Sequence, residues 1–329
     1  MIDIDRLSKL RLHRRPIGQI AFANLVLSWD YLLPRRTEII MEGLDNLPRD
    51  RTVFLAMNHT DRYNYWPAQY SMYRRGFPFT ATWVKGKYYD HRPTAKFLDL
   101  MNNIPLPSRG YVLATDFRAH FKRPMADPEY RFLRNLVDGT MDPLAVDTGA
   151  QSPEVQTFIA QFGGNAEGFV AWFEARFAPL LDHVIRLNRQ AICELGVNVL
   201  VFPQGTRSTR LARGHTGLVQ VAQHLGAAIV PVGCNGSDKA YPTNRPLSKG
   251  GRIVYRFGQP LELNGPQLAP HRVTEAYAPL TRAAAETHGP KFRAATDVVM
   301  AHINALLDPE YQAGDSQTSD GVSGMDRFL

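Results

Sequence analysis

The sequence predicts an α/β fold: a mixed, mostly parallel sheet flanked by helices, with a helical insertion. Three observations predict it. Short β-prone apolar runs alternate with helix-capable segments along most of the chain. The 329 residues are 44% hydrophobic and 21% charged, enough apolar material for one large domain. Between the two strand-bearing halves, the latter part of a stretch at about 111–188 has helical spacing.

Residues 1–37 form a helical segment in this scheme, residues 38–310 the α/β domain, and 311–329, rich in Gly, Ser and Asp, a disordered tail. Glu38-Ile39-Ile40-Met41-Glu42 is the first strand, closed by Gly43 and by Asn46-Leu47-Pro48. A second strand spans 52–57, followed by the turn containing His59 and a helix to about Arg75, which Gly76-Phe77-Pro78 breaks. Phe79 to Val84 is a third strand, 94–102 a helix, and 104–110 an extended, proline-bounded piece. Residues 111–152 show no clear period. From Glu154 to Leu195 a helical pattern runs with a break at Gly163-Gly164, placing Phe169, Phe173, Phe177, Leu181 and Val184 on one face. Strands at 197–202, 228–233 and 252–258 surround a helix at 215–225, and 272–288 and 291–307 complete the domain as two helices.

Lys and Arg total 38 against 31 Asp and Glu, a net charge of +7 with a pI near 9.4, which favours anionic partners such as phosphorylated metabolites or an acidic lipid surface. No aromatic-basic module of a known nucleic-acid binder accompanies that charge, so no nucleic-acid partner is expected. Cys193 and Cys234 lack metal-ligand spacing and sit in apolar sequence, as buried reduced thiols of a cytosolic protein would; no metal is expected. The most apolar segment, Ile17 to Leu33, is interrupted by Gln19, Asn24 and Asp30 and is too short and polar to cross a bilayer. Arg11, His13, Arg14 and Arg15 precede it and Arg35 and Arg36 follow, a mixture compatible with a membrane interface and equally with a helix packed on the protein's own core.

Two stretches carry chemistry. His59 lies just beyond a buried strand, where a neutral imidazole suits a general base. In Phe202-Pro203-Gln204-Gly205-Thr206-Arg207-Ser208, Gly205 permits a tight turn, Thr206 offers a hydroxyl and a backbone N–H, and Arg207 a planar fork of donors for an anion.

These pieces, in this order, resemble the glycerolipid acyltransferase family, whose type member acylates lysophosphatidic acid. Asn58-His59 resembles its first motif. Trp83-Val84-Lys85 with Ile104 to Gly110 is similar to the second block, with its lysine and arginine. The stretch 202–208 is similar to the third motif, normally Phe-Pro-Glu-Gly-Thr-Arg-Ser, and Ile229-Val230-Pro231-Val232 to the fourth. The resemblance implies an acyltransferase-like fold in which His59 is the base, with Lys85, Arg109, Gln204, Gly205, Thr206 and Arg207 around the substrate phosphate. It implies no cofactor. The co-substrate would be an acyl thioester, acyl-CoA or acyl carrier protein, and the acceptor a lysophospholipid or related phosphorylated alcohol. The place implied is the cytoplasm, at the inner face of the membrane.

Three departures stand out. The family's aspartate, five positions after the histidine, is Asn64, and its third-motif glutamate is Gln204. Asn64 brings no negative charge to the ring; Asp61 is the alternative carboxylate, although positions two apart do not face each other on a helix. The gap from Arg109 to Phe202 is far longer than the family's, which makes 111–188 the helical insertion. An acyltransferase is the first expectation. A phosphate-lipid binder that has lost the charged dyad, or an acyltransferase with a non-glycerolipid acceptor, is the alternative.

Overall fold

In the computed structural model, which describes residues 3–33 and 36–314, consecutive residues of the central strand enter different cores. Phe54 and Ala56 pack into one apolar cluster, Leu55 and Met57 into another, and all four are fully buried. A strand covered on both faces has no polar side to alternate with, so its sequence reads as a continuous apolar run.

Seven strands make one sheet: β1 Thr37–Glu42, β2 Phe54–Met57, β3 Thr80–Lys85, β4 Asn103–Leu106, β5 Asn198–Val201, β6 Ile229–Asn235 and β7 Gly251–Phe257. Their order is β1-β7-β6-β2-β5-β3-β4. All neighbours are parallel except β6 and β7, so the sheet is mixed and mostly parallel. The C-terminal ends of β2, β5 and β3 therefore emerge side by side at one edge, where open α/β sheets present their sites.

The chain opens with α1 (Ile4–Lys9) and a helical run made of α2 (Ile17–Phe22), a π-turn (Ala23–Leu27) and α3 (Ser28–Leu32). The helices α4 (Trp66–Arg74) and α5 (Arg92–Leu100) connect β2 to β3 and β3 to β4. The insertion is helical: α6 (Arg109–Phe121), α7 (Asp127–Asp138), α8 (Pro153–Gly163) and α9 (Ala166–Arg189). It has its own core, with Phe117, Phe158, Phe169, Phe173 and Phe177 at most 3% exposed. The side chain of Ser108 accepts from the Tyr111 N–H at the start of α6, and that of Asn165 from the Gly168 N–H at the start of α9. After β5 come α10 (Gly217–Leu225), α11 (Ser237–Ala240) and α12 (Arg282–Ala305).

Four expectations change. The extended piece at 104–110 ends at Leu106, because Ser108 caps a helix that begins at Arg109. The helices expected at 272–288 and 291–307 are replaced by one, α12, which begins only at Arg282 and contains Pro290; buried Phe292, Ala295, Val299 and Ile303 hold it against the core despite the proline. Cys193 is exposed, while Cys234 is buried as expected. Tyr311, placed in the tail by the sequence, is 1% exposed and packs on the core; the rest of the expected tail, from 315, lies outside the described residues, as does Arg35. Among the described residues no helix is long and apolar enough to cross a membrane.

The insertion core is expected to be cooperative with the rest. Phe173→Ala should destabilise the protein by about 3–5 kcal/mol in urea unfolding. A loss below about 1 kcal/mol would show that the site collapses around the missing ring.

Candidate active site

His59 follows β2 by two residues, Lys85 ends β3, and the 202–208 stretch follows β5. Three adjacent parallel strands thus deliver the groups the sequence singled out to one edge of the sheet.

Backbone bonds zip two of these loops together. The His59 N–H donates to Gln204 Oε1 at 2.9 Å, and the His59 carbonyl accepts from the Ser208 N–H at 2.9 Å. Gly205, at φ +67°, turns the chain between them, and a Cβ there would lie 2.8 Å from the His215 ring. The turn leaves Arg207 exposed, its Nη1 3.4 Å from the Asn244 side-chain oxygen.

The imidazole is oriented by an amide. Asn64 is fully buried; its Nδ2 donates to the Asn58 carbonyl at 2.8 Å, and its Oδ1 lies 3.2 Å from His59 Nδ1. A carbonyl only accepts, so the Asn64 amino group must face Asn58 and its oxygen must face the ring. His59 Nδ1 therefore carries the proton, and Nε2 is left with a free lone pair. Asn58 is held in turn: its Nδ2 donates to the Cys234 carbonyl and its Oδ1 accepts from the Cys234 N–H, at 2.9 and 2.7 Å. The Tyr255 hydroxyl closes the cluster on the Asn64 carbonyl at 2.6 Å.

His59 as a residue is half-buried, and Phe202 stacks on its ring at 4.0 Å between centroids and 17° between planes. Desolvation lowers the His59 pKa from 6.5 to about 3; the Asn64 bond opposes this, and the charges of Arg207 and Lys85 add to it. Both cations thus act on His59, which stays neutral at ordinary pH.

Three predicted residues have other work. Arg109, assigned to a substrate phosphate, gives its guanidinium to Glu174 and to the Val137 carbonyl and lies over the Phe177 ring; it locks the insertion. Asp61, the alternative partner for His59, accepts from the Tyr63 N–H at 2.8 Å and the Thr60 hydroxyl at 3.0 Å, and burial raises its carboxyl pKa. Asn64 holds the ring instead. Gln204, grouped with the substrate-binding residues, is buried and spends its oxygen on the His59 backbone. Thr206 sits half-buried between Gly205 and Arg207.

Sequence reasoning gave no role to Asn58 and Phe202, which it quoted only within motifs, nor to Tyr255, His215 and Arg62. Arg62, three residues after His59, has its guanidinium 5.8 Å from the Tyr88 ring centroid and a buried Nε without a hydrogen-bond partner. Its place in the loop after β2 was the one signal available. Among the described residues no group of three or more His, Cys, Asp or Glu is placed to hold a metal ion.

Two outcomes are expected. Because His59 titrates near 3 in the fold but near 6.5 when unfolded, the unfolded chain binds more protons in that window, and stability should rise with pH across it. His59→Gln should flatten the slope in urea unfolding measured from pH 3 to 7; an unchanged slope would mean the ring is not held neutral. Asn64→Asp should raise the His59 pKa yet cost about 1–3 kcal/mol of stability, because a carboxylate oxygen would replace the donor facing the Asn58 carbonyl. Equal or greater stability in the Asp variant at pH 7 would overturn the amide assignment.

No family model matches this chain, and no curated protein matches it. Among solved structures it is similar to the crystal structure of the 1-acyl-sn-glycerophosphate (LPA) acyltransferase PlsC from Thermotoga maritima. The identity is 15%, the match covers 90% of this chain and 79% of that one, and the TM-score is 0.38.

Proposed function

We propose that this chain is an O-acyltransferase that moves a fatty acyl group from a thioester, acyl-CoA or acyl carrier protein, to a phosphorylated glycerol-type acceptor such as a lysophospholipid. The observation that carries the proposal is a neutral imidazole with a bare Nε2 at the same sheet edge as Lys85 and Arg207.

In this scheme the acceptor phosphate sits against Arg207 and Lys85, which directs its hydroxyl at His59. Nε2 takes the hydroxyl proton as the oxygen attacks the thioester carbonyl. The tetrahedral oxyanion collapses, the C–S bond breaks, and the thiolate leaves with the proton from the imidazolium. The ester and the free thiol are the products. During the step the imidazolium has the Asn64 amide dipole on its Nδ1 side instead of a carboxylate. Gln204 and Ser208 act as positioning residues, holding the His59 backbone.

A phosphate-lipid binder without turnover is the second reading, and the amide at position 64 favours it, because Asn64 places no full charge opposite the imidazolium. An assay with purified protein, labelled acyl-CoA and a panel of lysophospholipids separates the two. For the enzyme, His59→Ala should lower turnover by about 10²–10⁴-fold. Arg207→Ala should lower kcat/KM by about tenfold or more for phosphorylated acceptors and little for acceptors without phosphate. Lysophospholipid binding without turnover from any thioester donor would contradict catalysis and leave the binder.

A further inference from the structure

A groove of about 550 Å³ lies between the first helices and α5, away from His59, and its lining is basic. Arg6, Lys9, Arg11, His13, Arg15 and Lys96 line it, Asp99 is the one acid of the lining, and Lys9 is paired with Asp5 at 2.7 Å. Asp99 is already neutralised by Arg6 at 2.7 Å. Arg11 donates to the carbonyls of Ser8 and Leu10 and has no acid partner among the described residues. Arg15 and Lys96 have no acid partner among the described residues. The segment is also fixed in place: the His13 N–H donates to Asn102 Oδ1 at 3.0 Å, Asn102 Nδ2 to the His13 carbonyl at 2.8 Å, and Gln19 Nε2 to the carbonyls of Thr80 and Met101. The cations are therefore gathered before any ligand arrives.

The groove runs into an apolar surface. Ile17 and Leu100 line it and are 81% and 54% exposed. From Ile17 an outward stripe continues along the helical run through Leu25, Trp29 and Leu32, exposed by 73%, 67% and 63%. Gaps of eight, four and three residues, each close to a whole number of turns, keep them on one side of the helix, and 16 residues make a strip of about 24 Å. The run begins beside Thr80 and Met101, at the N-terminal ends of β3 and β4. It ends where Asp30 accepts from the Ser248 N–H, just before antiparallel β7 and so on the His59 side of the sheet.

We infer that this groove and stripe together form a docking surface for a bilayer carrying anionic phospholipid, with a headgroup phosphate in the groove and the stripe in the interface. Cations that adjoin exposed Ile17 and Leu100, at one end of an apolar stripe, suit that boundary, where each cation near an anionic surface contributes to binding. A second copy of this chain fits poorly, since a two-fold pairing about the groove would set cations against cations. An acidic carrier protein would use the charge but not the stripe. The inference does not depend on acyl transfer.

Flotation of the full chain with vesicles tests it. Vesicles of phosphatidylcholine with phosphatidylglycerol should bind it and vesicles of phosphatidylcholine alone should bind much less, and added salt should weaken the binding. Arg15→Ala and Lys96→Ala, which lie on separate elements, should each weaken anionic-vesicle binding by about fivefold. Trp29→Ser with Leu25→Ser should abolish flotation, and Trp29 emission should shift to the blue on binding in the unsubstituted protein. Matching thermal melts identify variants that keep the fold. Equal binding to both vesicle types, or full binding by all folded variants, would overturn the inference. So would a groove that takes inorganic phosphate or an acidic carrier protein while the protein stays off vesicles.

Discussion

The candidate site depends on one side-chain amide. Asn64 reads two neighbours of opposite character, donating to the Asn58 carbonyl and accepting from the His59 ring. Only a group with a donor at one end and an acceptor at the other meets both demands, and its orientation is set by the carbonyl rather than by the ring. The ring tautomer, and with it the identity of the basic nitrogen, follows from that bond. A buried polar network of this kind is costly if half satisfied. Here Asn58 is closed by Cys234, and the Tyr255 hydroxyl adds a further bond at the Asn64 carbonyl.

The amides at positions 64 and 204 play matched parts, each giving its side-chain oxygen to His59. Gln204 accepts from the His59 N–H, as a carboxylate would, and lies with its Nε2 3.4 Å from the Arg210 carbonyl. The result is a histidine whose ring faces an amide and feels the charges of Arg207 and Lys85. Burial and those cations hold it neutral, which favours taking a proton only transiently. A dyad with a carboxylate would stabilise the imidazolium more and hold the proton longer.

Much of the fold was legible because its signals are local. The apolar runs of β2, β5 and β6 and the turn at Gly205 can be read from a few residues each, and the stripe of α9 from one helical face. What escaped depends on distant partners. Arg109 looks like an anion-binding cation until Glu174, 65 residues later, closes on it. Asp61 looks like a neighbour of His59 until the backbone turns it towards Thr60 and Tyr63. The roles of Asn58 and Tyr255 need β6 to be placed beside β2 and β7 beside β6, which no local pattern encodes. Pro290 misled in the other direction, since packing of one helix face outweighed a local breaker.

The central claim is that His59 is neutral, with its proton on Nδ1 and its lone pair on Nε2. Nitrogen NMR of the protein with labelled histidine, in water at neutral pH, measures this directly. The account predicts a His59 ring with a protonated Nδ1 and an unprotonated Nε2, unchanged as the pH is lowered through the range where an ordinary histidine titrates. A proton on Nε2, or an imidazolium already present near pH 6, would contradict it.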